Sequence, residues 1–338
     1  MKKLQDLWKK GTDFLGSEYA ILGGAMSWVS ERNLVSAISN AGGFGVIACS
    51  SMTTDLLRNE IRETKKLTDK PFGVNLIIMH PDLDALVQVC KEEQVTHVVL
   101  AGGLPSSKTI KDIKEFGAKV ICFAPAFIIG KKLIRSGADA LVIEGMEAGG
   151  HIGPVATSVL AQEIIPELKN EVPIFVAGGI GRGEAMASYL EMGAAGVQLG
   201  TRFVCATESI AHENFKRAFI KAAARNATPS VQIDPDFPVI PVRAIENKAT
   251  EDFKKVQLRT IAEFNEGKLD KEQAQLQIEH YWAGALRKAV IDGDVENGSL
   301  MAGQSVGMVK KEQPISEILD ELISQANAYL SEKLPNAA

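Results

Sequence analysis

The sequence predicts an α/β fold, a (β/α)8 TIM barrel with a helical insertion forming a lid after the eighth strand. Three observations predict it. Eight short apolar runs with β-branched centres recur, mostly at intervals of roughly 20 to 30 residues. The segments between them carry apolar residues at helical spacing, as the crossovers of a parallel sheet buried on both faces require. After the eighth run the rhythm stops, and a proline-bearing approach leads into two long polar helical stretches.

Residues 20–26 are apolar and end in glycines, which gives the first strand. Residues 31–40 place Leu34, Val35 and Ile38 on one helical face and close on Gly42-Gly43 before a second strand at 45–49. Helical segments at 54–67, 83–93, 110–116 and 126–136 lead in turn to strands at 72–78, 97–101, 119–123 and 140–143. A seventh strand at 173–177 and an eighth at 196–200 complete the series. An open doubly wound sheet is the alternative fold. Against it, no GxGxxG follows the first strand, and the late run Gly178-Gly179-Ile180-Gly181-Arg182-Gly183 is weak alone as a dinucleotide loop.

Beyond the barrel, Pro229, Pro235, Pro238 and Pro241 precede helical stretches at 250–265 and 271–289. The expected organisation is a barrel of residues 1–227 and 286–338, with residues 228–285 as an insertion that covers the substrate side of the mouth and has no strand of its own. Peripheral decoration without contact to the site is the alternative.

The chain has 338 residues, 46% of them hydrophobic, enough for a sizeable core. A net charge of -5 offers no basic field to a polyanion, so nucleic acid and anionic membrane surfaces are poor partners and a small-molecule substrate fits better. Cys49, Cys90, Cys122 and Cys205 are far apart, form no CxxC or metal-type spacing, and read as reduced core thiols. No apolar leader segment and no membrane-length apolar run occurs, so a cytoplasmic location is expected.

The chemistry centres on residues 140–153, where an apolar strand runs into Gly145, Gly149, Gly150 and Gly153 around a single histidine, His151. Taken alone, the segment reads equally well as a glycine-rich turn whose histidine satisfies a nearby carbonyl. Barrel enzymes gather their sites at the C-terminal strand ends and bind phosphate on the loops after strands seven and eight. Here those loops carry Gly178-Gly179 and Gln198-Leu199-Gly200-Thr201, whose backbone N–H groups and hydroxyl suit a monophosphate with a helix N-terminus behind them. Asn75, Glu144 and His151 would share that mouth, with Met26 as an apolar floor. Such a cleft suits a flat heterocycle with one phosphate, flavin mononucleotide (FMN). His80, His97, His212 and His280 show no metal-ligand spacing, read as surface or helix-packing residues, and leave no metal site. Glu144 and Glu147 fix no paired acid/base geometry.

The motifs Gly23-Gly24-Ala25-Met26-Ser27-Trp28, Pro71-Phe72-Gly73-Val74-Asn75, residues 144–153, Ala177-Gly178-Gly179-Ile180, Gln198-Leu199-Gly200-Thr201-Arg202-Phe203 and Met301-Ala302-Gly303-Gln304-Ser305 together span nearly the whole chain. In them the sequence resembles the nitronate monooxygenase family and its relatives, the flavin-dependent type II enoyl-acyl-carrier-protein reductases. The resemblance implies an FMN-bearing barrel in which His151 is catalytic. It also implies FMN contacts from Ala25, Met26, Ser27, Asn75, Glu144, Gly149, Gly179, Gln198, Leu199, Gly200 and Thr201, and is compatible with a homodimer. Two activities follow from it. In one, nitronates or nitroalkanes are oxidised, with O2 as final oxidant and His151 as base or hydrogen-bond donor. In the other, NAD(P)H reduces an enoyl thioester through FMN. Residues 103–106 look monooxygenase-like, whereas residues 144–147 and 242–245 look reductase-like; the reading leans to nitronate oxidation. A non-catalytic FMN-binding protein is the third reading, and it requires an idle His151.

Overall fold

Each predicted apolar run is short, β-branched at its centre and closed by glycine or a polar turn, which suits a strand covered on both faces. The computed structural model describes residues 3–332 except 51, 236 and 238. In it these runs become β1 (Ile21–Gly23), β2 (Gly45–Ala48), β3 (Phe72–Ile77), β4 (His97–Ala101), β5 (Lys119–Phe123) and β6 (Ala140–Glu144). A two-residue strand, β7 (Gly150–His151), interrupts the series; β8 (Ile174–Ala177) and β9 (Gly196–Leu199) finish it. The predicted seventh and eighth strands are therefore β8 and β9.

Eight parallel strands lie in the order β1-β9-β8-β6-β5-β4-β3-β2. Hydrogen bonds from Gly23 N–H to the Phe44 carbonyl and from Phe44 N–H to the Ile21 carbonyl, both 2.9 Å, bring the two ends together. The fold is a TIM barrel, as predicted. The first strand is shorter than expected because the chain turns early. Gly24 N–H still reaches the Leu199 carbonyl at 2.8 Å, but the Met26 N–H is taken by Ser30 Oγ at 3.0 Å.

The N-terminal segment plugs the bottom of the barrel. Phe14, at the end of the helix Lys9–Leu15, offers its carbonyl to the His97 ring at 3.0 Å and to the Lys119 ammonium. His97 is thus buried inside the fold, correcting its reading as a surface or helix-packing residue, and desolvation pulls its pKa down to about 4. The four cysteines are free and buried, as expected. Among the described residues no helix is long and apolar enough to cross a membrane.

The region after β9 departs from expectation. It contains β10 (Ala227–Pro229) and β11 (Val242–Ile245), and β11 pairs antiparallel with β10, with β12 (Leu300–Met301) and with β7. The insertion therefore has a strand of its own, contrary to expectation. Val242 stands opposite His151, and Arg243 opposite Gly150. Pro238 lies outside the described residues. The two helices are Lys248–Asn265, capped by the Asn247 side chain on Thr250 N–H, and Lys271–Val290, capped by Asp270 on Gln273 N–H. They bury Phe253, Ile261, Ile278 and Trp282 in a small core with Phe237 and Val242, and Met301 packs against both this core and the barrel's.

Candidate active site

The C-terminal strand ends bring the predicted residues to one mouth. Asn75 near the end of β3 and Gln198 on β9 are buried, and the Asn75 amide is fixed by donating to the Val99 carbonyl at 3.1 Å. Ala25, Met26, Ser27, Glu144, Gly179, Gly200 and Thr201 are half-buried there. Met26 lies against the loop after β9: a β-carbon on Gly200 would lie 3.5 Å from Met26 Sδ.

Glu144 ends β6 opposite Ala177. Among the described residues no donor reaches its carboxyl, and burial pushes its pKa up to about 8. The sign of the linked stability follows. The folded carboxyl stays neutral while the unfolded one ionises, so stability falls as pH rises from the ordinary carboxyl value toward 8. Glu144→Gln should therefore stabilise the cofactor-free protein by about 2 kcal/mol near pH 7.5, the shift being discounted for partial exposure, and by almost nothing near pH 4.5. Denaturant unfolding at the two pH values checks this; no gain at pH 7.5 would place the carboxyl in water.

At the ends of β8 and β9, the backbone N–H groups of Gly179, Gly200 and Thr201 have no acceptor among the described residues. Gly179 adopts φ 73°, a left-handed conformation that suits glycine. Converging open donors of this kind suit a monophosphate. At the start of the helix Gly183–Met192, Gly183 N–H donates to Gln325 Oε1 at 2.8 Å from the C-terminal helix Ile315–Glu332. Arg202 also turns away, to Glu321 at 2.8 Å. The donors left open at this end of the barrel are the loop amides of Gly179, Gly200 and Thr201.

Gly149 is explained by packing. A β-carbon there would sit 2.5 Å from Gly303 N, so the loop after β6 lies directly on the last glycine-rich segment. That segment is tied in twice more, by Gln304 N–H to the Glu147 carbonyl and by Gly303 N–H to Thr201 Oγ1, both 2.9 Å. Glu147 caps the helix Thr157–Leu168 by accepting from Thr157 N–H at 2.9 Å and Thr157 Oγ1 at 2.8 Å, which excludes it from acid/base work.

His151 sits on β7, held by pairing to β11, with its side chain 43% exposed. Its Nε2 lies 3.1 to 3.2 Å from the two carboxylate oxygens of Glu279, on the helix Lys271–Val290. Sequence reasoning missed Glu279, since nothing distinguishes one acid on a polar helix. It also left Arg243 without a role. This buried guanidinium donates from Nε to the Met146 carbonyl at 2.9 Å and from Nη1 to the Ala227 carbonyl, so it clamps β11 to the loop that leads to His151. His80 and His212 accept from nearby backbone N–H groups, and among the described residues no group of three or more His, Cys, Asp or Glu is placed to hold a metal ion.

A TIM barrel with open backbone donors at its last two strands and an accessible histidine at the mouth has the layout of a barrel enzyme's site. Residues 9–86 and 82–325 match the nitronate monooxygenase family model, and the chain belongs to that family. It is an oxidoreductase. It is 30% identical, over 94% of its length and 96% of the relative's, to (3aS,4S,5R,7aS)-5-hydroxy-7a-methyl-1-oxo-octahydro-1H-indene-4-carboxyl-CoA dehydrogenase from Mycobacterium tuberculosis. A probable nitronate monooxygenase from Staphylococcus aureus is 27% identical over 97% of this chain and all of that one. Among solved structures, FabK from Thermotoga maritima is 35% identical, with TM-score 0.83 and 98% of each chain covered.

Proposed function

We propose that the protein is an FMN-dependent reductase that uses NAD(P)H to saturate the α,β double bond of an enoyl thioester. One observation carries the choice. The two stretches that look reductase-like, residues 144–147 and β11, form a single unit through the Arg243–Met146 hydrogen bond, and that unit holds His151. The monooxygenase-like stretch, residues 103–106, follows β4 and lies outside this unit. The FabK likeness and the carboxyl-CoA relative support the same substrate class. So do the exposed apolar side chains Met79, Leu104 and Ile128 that follow β3, β4 and β5 and suit an acyl chain.

The residues present fit FMN. The Gly179, Gly200 and Thr201 amides would hold its phosphate, Asn75, Glu144 and Gln198 would meet its polar edges, and Met26 would lie beside its ring. Bound FMN supplies hydride transfer between the nicotinamide and the substrate's β-carbon. His151 supplies the proton that the α-carbon needs, and solvent at its exposed edge restores that proton. The lid helices limit water at the mouth and shape the entry for substrate.

Nitronate oxidation with O2 is the second reading, favoured by the family model's description. Anaerobic half-reactions separate the two. NAD(P)H should bleach the flavin of the purified holoenzyme, and crotonyl-CoA or a longer 2-enoyl thioester should restore its colour. Bleaching by a nitronate, with none by NADH or NADPH, would overturn the proposal.

A further inference from the structure

The His151–Glu279 pair joins two parts of the lid region that fold from distant stretches of sequence. His151 is fixed by β7 on β11, with Ile152 N–H on the Pro241 carbonyl at 2.9 Å extending the pairing. Glu279 rides on a helix that is itself immobilised: Ile278 and Trp282 are buried, the Tyr281 hydroxyl donates to the Ala249 carbonyl at 2.6 Å, and Ser299 N–H reaches the Ala285 carbonyl at 2.8 Å. Among the described residues the Glu279 carboxylate has no other ionic partner than His151. A carboxylate held this way selects the ring orientation and tautomer, as the acid of a carboxylate–histidine pair does.

We propose that Glu279 is a positioning residue, which accepts a hydrogen bond from His151 Nε2–H and so presents Nδ1 as the nitrogen that serves the substrate. This rests on the reductase reading for its chemistry. As the β-carbon receives its hydride, the Nδ1–H bond breaks and a C–H bond forms at the α-carbon. The ring is left neutral, with its remaining proton on Nε2 shared with Glu279, and water reprotonates Nδ1. The active histidine is thus assembled only when the helix Lys271–Val290 is docked, so proton delivery and coverage of the mouth are one event.

Two readouts test it. On flavin-loaded protein, Glu279→Ala should lower kcat on the order of tenfold or more with little change in KM or melting temperature, and Glu279→Gln should keep part of the rate. Combined with His151→Ala, it should cost nothing further, because the two act as one unit. In ¹⁵N spectra of substrate-free protein, taken at a pH high enough that the ring is neutral, His151 should shift from the Nε2–H form toward a tautomer mixture in Glu279→Ala and stay closer to the parent in Glu279→Gln. Independent, multiplicative losses in the double variant, or an unchanged ring spectrum in Glu279→Ala, would overturn the proposal. The spectrum needs no substrate, and the rates can be followed with whichever donor and acceptor the anaerobic half-reactions identify, so an error in the substrate class is distinguishable from an error about Glu279.

Discussion

His151→Ala keeps its flavin and its fold and loses on the order of 10²-fold or more in turnover of an enoyl thioester. The expectation comes from where the ring sits. Its side chain is 43% exposed, and among the described residues its partner is another side chain, Glu279. The β7 to β11 pairing that shapes the loop is a backbone affair that alanine preserves. Removing such a group costs about 0.5 kcal/mol or less of stability. Glu147, four residues before His151, is engaged as a helix cap on Thr157 and does not stand in for it. Steady-state kinetics beside the flavin spectrum and melting temperature check this. A neutral nitroalkane, which needs a base, should suffer as the thioester does; a nitronate, already ionised, should suffer less if His151 serves only to remove a proton. Full activity toward every substrate in flavin-loaded His151→Ala would make the loop structural.

Gly179→Asp should abolish FMN retention. Three effects add. The position has φ 73°, which an L side chain adopts only with strain, and a β-carbon there would come within 3.0 Å of the Glu147 β-carbon. The new carboxylate would stand beside that of Glu147 and repel the phosphate dianion that the neighbouring amides are to hold. Losing the charge-assisted bonds costs about 1.5–3 kcal/mol each, so two lost bonds correspond to a weakening on the order of 10²-fold or more. Gly179→Ala isolates the strain, at about 1 kcal/mol, and should still bind. Flavin content after purification and reconstitution reads both. If Gly179→Asp holds FMN as tightly as the parent, the phosphate binds elsewhere.

The barrel was legible because strands buried on both faces write themselves as unbroken apolar runs. Val142 and Ile143 sit fully buried in β6, as do Val197 and Val176 in β9 and β8. What failed were features whose partners lie far along the chain. β7 is two residues long and exists only because β11 pairs with it, so Gly150-His151 reads as loop until Val242 and Arg243 are placed opposite. The alternation around Val242 and Ile245 was present, but the prolines around it suggested an approach without a strand. Nothing local to Gly149 announces that its missing side chain leaves room for the backbone of Gly303. His97 opens an apolar run, and that place in the pattern was a signal of burial that its isolation from other histidines masked.

The site itself was legible where its chemistry is local. Gly179, Gly200 and Thr201 announce open amides by composition, and the structure leaves those amides without acceptors among the described residues. Glu279 was not legible, since its importance comes from a 3.1 Å approach across the lid and not from any motif.

Titration of cofactor-free protein with FMN and, separately, with riboflavin tests the account most directly, because the whole reading hangs on a phosphate held by the loops after β8 and β9. The predicted result is one FMN per chain, with riboflavin, which lacks only the phosphate, binding on the order of 10²-fold or more weaker. Equal affinity for the two flavins, or no uptake of either by folded protein, would contradict it.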